Sequence, residues 1–238
     1  MLYEMSRIMI VAFWSARDET LESCAHQMGK MGEELRSISN SFSDWTRKGP
    51  SKKAALEESS QDIFTNESAV KLLSRGRFYS DIPRKIVKDL GYKTYLWNKG
   101  RYGVSVSLSV HCGCLGSYTQ NSVMFEFFSI EDGAISSDHL IKVLKLLVNI
   151  WDVESASVFR HLHSQGYDSE KDGYNFLQLA SFIKPDAKEY TFARPIGTPI
   201  EFTSKGVLRL NEQVSPLFEV NEGLLPIEKY NLITNYKS

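Results

Sequence analysis

Hydrophobic positions along this chain fall into two periods, and their order predicts an α+β fold. Residues 8–14 form a continuous apolar run of branched and aromatic side chains. Such a run fits a strand buried on both faces. A polar stretch follows, with Asp18 and Glu19 where a helix N-terminus favours acids. Leu21, Cys24, Met28, Met31, Leu35 and Ile38 then recur at spacings of three and four. That spacing predicts one apolar stripe on a helix of about five turns. Gly29 and Gly32 lower its intrinsic propensity. As small residues they are expected to let the helix lie close to the sheet.

Residues 39–66 are polar and broken by Gly49-Pro50, yet they hold Trp45. A solvated linker has little use for a tryptophan, so an ordered loop with a short helix is expected. Residues 82–90 read as a second short helix, with Pro83 near its first turn and Gly91 just past its end. Residues 104–110, VSVSLSV, alternate apolar residues with serines. This is a strand with one core face and one polar face. Tyr92–Trp97 is its expected hairpin partner, turning through Asn98-Lys99-Gly100. Residues 123–128 make another aromatic-rich strand. The turn Glu131-Asp132-Gly133 follows, and Ser136 or Ser137 is placed to cap a helix ending at Trp151. That helix is apolar nearly all round, so it belongs in the centre of the molecule. Further short strands are expected at 155–159, 190–193, 207–210 and 217–220. The pattern thus predicts a mainly antiparallel sheet packed against two long helices, in a single domain over residues 1–238. Strand, long helix and strands follow in that order twice, so a divergent βαββ duplication of 7–120 and 121–220 is one reading; ordinary α+β alternation is the other.

Composition refines this picture in one respect. The net charge is -1, so no global field draws the chain to nucleic acid or membrane. The halves differ, however. Residues 1–120 carry 17 Lys+Arg against 13 Asp+Glu, and residues 121–238 carry 11 against 16. The acidic half is a candidate docking face for a basic partner. The three cysteines, Cys24, Cys112 and Cys114, lack the even count and spacing of a secreted disulfide scaffold. The N-terminal apolar run is far shorter than the roughly 20 residues that span a bilayer. It also lacks the cationic flank and cleavage site of a signal peptide. A cytoplasmic location is expected.

A search for chemistry returns little. The chain has no glycine-rich phosphate loop, no G-x-S-x-G elbow and no H-E-x-x-H. His111, Cys112 and Cys114, with His161 and His163, are the nearest approach to a metal or nucleophile cluster. Their spacing fits neither a common zinc knuckle nor an activated cysteine, so no metal, cofactor or catalytic residue is assigned. Asp168, Glu170 and Asp172 lie between Gly166 and Gly173 and read as an acidic loop. Arg47 and Lys48, with Lys52 and Lys53, resemble a phosphate patch, but Glu57, Glu58 and Asp62 follow closely. That argues against direct nucleic-acid binding.

Two stretches carry a resemblance. One is AFWSARDETLESCAHQM, leading to FSDWTRKGPSKKAAL; the other is LGYKTYLWNKG, leading through the alternating strand to CGCLGSYTQNSVMFEF. Together they resemble the immunity protein 52 family of bacterial polymorphic toxin systems. The matching positions are Trp14, Arg17, Trp45, Lys48, Gly49, Ser51, Leu90, Gly91, Leu96, Trp97, Asn98, Cys112, Gly113 and Asn121. Lys99, inserted between Asn98 and Gly100, departs from the pattern and lengthens the turn. The resemblance implies a non-catalytic protein encoded beside a toxin, often a nuclease of restriction-endonuclease-like fold, which it inhibits by binding. Asp168, Glu170, Asp172, Trp45, Arg47 and Lys48 are the candidate contacts. Trp14, Arg17, Gly49, Trp97, Asn98 and Asn121 read as structural anchors, since buried aromatic residues dominate core energetics. Two other readings stay open: an enzyme using the His/Cys residues near 111–114 and 161–163, and a general protein-interaction domain.

Overall fold

The computed structural model describes residues 7–48, 53, 62–80, 85–116, 120–131, 133–161, 176–184, 198–203 and 205–210. It is an α+β fold built on one antiparallel sheet. The strands in chain order are β1 (Arg7–Trp14), β2 (Thr46–Arg47), β3 (Tyr92–Trp97), β4 (Ser105–Cys112), β5 (Asn121–Phe128), β6 (Ser155–His161), β7 (Phe176–Ile183), β8 (Thr198–Thr203) and β9 (Gly206–Leu210). Across the sheet they run β2-β3-β4-β5-β1-β6-β7-β9-β8. Because β1 pairs with both β5 and β6, strands from the two halves of the chain interleave.

Three helices are described: α1 (Leu21–Ile38), α2 (Asn66–Arg75) and α3 (Ser137–Trp151). The expected stripe on α1 is its buried face, with Leu21, Cys24, Met28, Met31 and Leu35 all in the core. Thr20 caps the helix by accepting the Ser23 N–H. At α3, Ser136 takes the cap, and His139 returns the bond to the Ser136 N–H, closing a capping box. Leu140, Val143, Leu144, Leu147 and Trp151 of α3 are buried. Both long helices lie on one face of the sheet, the face built from Ile8, Ile10 and Trp14, Val106, Leu108 and Val110, and Val123, Phe125 and Phe127. Trp14 of β1 stacks on Trp151 of α3 at 5.1 Å, and the Trp151 indole N–H donates to Met31 Sδ of α1 at 3.4 Å.

Several expectations are corrected. The helix read over 82–90 is absent from the described part of that range. Lys85–Val87 is extended instead, with Ile86 bridged to Tyr79, and only a 3-10 turn, Lys88–Leu90, follows. A helix so short has little stability alone. Here the strip pairs with 78–80, through Ser80 N–H to Lys85 O and Val87 N–H to Phe78 O. The helix α2 lies where no helix is expected, although Thr65 caps it, Glu67 opens it, Arg75 closes it and Gly76 follows. The glycines of α1 face the Phe64 segment rather than the sheet: a Cβ on Gly32 would lie 2.0 Å from Phe64 Cγ. The β3–β4 connection runs from Asn98 to Val104, longer than the expected turn. Strands β7 and β8 were not anticipated, and the strands expected at 190–193 and 217–220 lie outside the described residues.

Candidate partner-binding surface

The positions expected to be structural are mostly buried or half-buried. Trp14 is 1% exposed, and its Nε1 points to Glu19 Oε2 at 3.4 Å. Arg17 reaches the C-terminal end of α3. Its guanidinium donates to the carbonyls of Trp151 (3.2 Å) and Asp152 (2.5 Å) and pairs with the Asp152 carboxylate at 3.7 Å. A cation there satisfies carbonyls that α3 leaves open and meets the negative end of its dipole. Asn121 is buried, accepting the Cys114 N–H and donating to the Ser15 carbonyl. Asn98 is buried as well. Its amide donates to the carbonyls of Ser41 and Val104, and its Oδ1 accepts the N–H groups of Gly100 and Val106. One side chain thereby satisfies four main-chain groups that a buried loop would otherwise leave unpaired. Trp97 is half-buried and donates to Ser105 Oγ at 2.8 Å. Gly49 lies outside the described residues.

The contact candidates separate. Trp45 is 3% exposed. Its Nε1 donates to the Phe42 carbonyl at 2.7 Å, and its ring meets Phe64 and Phe125 edge-on. Enclosed in this way, Trp45 packs behind Arg47 and Lys48, which lie two and three residues after it and are exposed. Asp168, Glu170 and Asp172 lie outside the described residues. Beside Trp45 is a cavity of about 400 Å³ lined by Arg36, Ser43, Asp44, Trp45, Asp62, Ile63 and Phe64. Its charges are neutralised internally. Arg36 pairs with Asp62, which holds that carboxyl below its ordinary range. Lys99, buried despite its charge, and Arg101 both meet Asp44.

The cysteines are buried as free thiols. A bond to Cys24, reinforced by burial, pushes the Cys112 thiol well above its ordinary value. It is therefore held protonated, the wrong state for a nucleophile. His111 Nε2 lies 2.9 Å from the Leu90 carbonyl and 3.1 Å from Cys114 Sγ. Burial lowers its pKa, with a smaller push from Lys93 against the pull of that carbonyl. Among the described residues, no three His, Cys, Asp or Glu side chains converge as metal ligands. His163 lies outside the described residues, and His161 ends β6.

The other face of the sheet carries no described helix. Alternation puts Lys93, Tyr95 and Trp97 of β3 there, beside Ser105, Ser107, Ser109 and His111 of β4 and Ser122, Met124, Glu126 and Phe128 of β5. Most are half-buried, whereas Tyr95 is 45% exposed. Lys48 joins this corner by donating its backbone N–H to the Tyr95 carbonyl at 3.0 Å. Sequence reasoning missed Tyr95 because alternation assigns a residue to a face without showing what covers that face. Among the described residues, no helix is long and apolar enough to cross a membrane. In comparison with known proteins, no curated protein matches the chain. The family described as Immunity protein 52 matches residues 8–182.

Proposed function

The chain belongs to the immunity protein 52 family, and from that premise we propose that it binds a cognate bacterial toxin and neutralises it stoichiometrically, without turnover. The family match over residues 8–182 is the observation that carries this reading. The toxin is proposed to be a nuclease of restriction-endonuclease-like fold, as the sequence resemblance implies. Inhibition is by occlusion in the cytoplasm, with no cofactor, no direct nucleic-acid contact and no membrane. The buried, protonated Cys112 and the wholly internal bonds of His111 favour binding over catalysis. The acidic cluster Asp168, Glu170 and Asp172 is proposed to face the basic groove with which a nuclease holds phosphates.

Co-expression tests this. The toxin encoded beside this chain is expected to arrest growth alone, to be tolerated when the chain is present, and to co-purify with it at a fixed ratio. Equal killing with and without the chain overturns the reading.

A further inference from the structure

The corner of the sheet around Tyr95 combines two properties that occur together at docking sites. The first is an exposed aromatic held in place. Lys93 Nζ sits 5.1 Å from the Tyr95 ring centroid, and the Lys48 backbone N–H donates to the Tyr95 carbonyl. A tyrosine fixed on a strand presents apolar area and a hydroxyl at little entropic cost on binding. The second is uncompensated positive charge. Arg17, Arg36, Lys99, Arg101, Lys142 and Lys184 each have a carboxylate partner. Lys48 and Lys93 have no carboxylate partner among the described residues, and neither has the adjacent Arg47. The acid that the register places on this face, Glu126, is on β5, two strands in from Trp97. Behind Lys93, across the β3–β4 pair, lies His111, with the Phe78 ring 5.6 Å from it.

We propose that this corner is one part of the toxin's docking surface, that Tyr95 is its anchor, and that Lys48 and Lys93 receive an acidic patch of the toxin distinct from the basic groove proposed for Asp168, Glu170 and Asp172. The inference rests on the toxin-binding reading above and names the surface for it. Aromatic anchors set how long a complex lasts, while flanking charges set how fast it forms. The carboxylates with which a metal-dependent nuclease holds its cations are an acidic surface of this kind. An aromatic and basic patch also suits single-stranded nucleic acid. The net charge of -1 and the family membership favour the protein partner.

The test measures binding of the full chain to its neighbouring toxin, and to a single-stranded oligonucleotide, for wild type, Tyr95→Ala, Lys48→Glu and the double variant Lys48→Glu/Lys93→Glu. Tyr95→Ala is expected to raise Kd about tenfold, mainly through faster dissociation. The double variant is expected to associate more slowly, with the deficit shrinking as salt rises. Lys48→Glu, exposed and beyond the end of β2, keeps the test open if Tyr95→Ala lowers stability. Wild-type binding to the toxin with every variant within twofold of it overturns this proposal alone. Wild type that fails to bind the toxin overturns the toxin-binding reading, and this proposal with it. Oligonucleotide binding lost in the same variants, with toxin binding kept, assigns the corner to nucleic acid and overturns the proposal too.

Discussion

At the scale of the residue, two asparagines do more for this fold than most of its charges. Asn98 and Asn121 are buried, and each ties together main-chain groups from distant parts of the chain. Losing such a side chain strands donors and acceptors where water does not reach, and each stranded group costs about 1–3 kcal/mol. Asn98→Ala is therefore expected to destabilise the protein by about 3 kcal/mol, read by urea unfolding. A loss below about 0.5 kcal/mol, the scale of an ordinary surface change, contradicts this account of the loop. The exposed Arg36–Asp62 and Lys142–Asp138 pairs are the opposite case, since solvent-exposed ion pairs contribute little. The anchors Trp14, Trp97 and Asn98 were legible in the sequence through the family motif, and the two tryptophans also as large aromatics suited to a core. That Tyr95 is exposed and Trp45 enclosed was not. Both are aromatic residues in mixed surroundings, and only the packing distinguishes them.

At the scale of the element, the long periodic segments formed as read. The stripe on α1 and the serine alternation of β4 place each residue on its face wherever one face is buried. Short segments did not behave this way. Residues 85–87 took an extended form because pairing with 78–80 offers their backbone the bonds that a nascent helix would have supplied. The glycines of α1 illustrate how context sets the sign of a substitution. Gly32→Ala gains up to about 1 kcal/mol of helix propensity. It also drives a Cβ into the Phe64 ring, which is itself held edge-on by Trp45. Overpacking of that kind costs about 1–3 kcal/mol. Net destabilisation by Gly32→Ala is expected in thermal unfolding. In a Phe64→Ala background, where the ring is gone, the same change is expected to become neutral or stabilising by about 1 kcal/mol. An unchanged cost in that background rules out the ring as its cause.

At the scale of the whole molecule, charge and shape are separable. The acidic excess lies after residue 120, whereas the exposed large hydrophobic residues among those described are Tyr79, Ile86, Tyr95, Tyr102 and Leu115, all before it. A partner that met only the acidic half would be steered but weakly held, because rim charges tune association more than dissociation. Reversal of Asp168, Glu170 and Asp172 to Lys is accordingly expected to slow toxin association, most at low salt, with little change in dissociation or unfolding temperature. Association rates measured across a salt series check this. A rate equal to wild type at low ionic strength removes the cluster from the interface.

The sequence by itself determined the fold class, the two long helices and the central strands. It also carried the family motifs, because periodicity and capping are written in neighbouring residues and need no partner to be read. Tertiary structure alone decided the strand order, with β1 of the first half lodged between β5 and β6 of the second. It decided that Trp45 turns inward against Phe64 and Phe125 while Tyr95 stays in solvent. It also decided that Lys99 is enclosed against Asp44 while Lys48 and Lys93 face outward without a carboxylate. Pairing, enclosure and charge compensation are relations between residues far apart in the chain. They become defined only when the sheet has brought those residues together.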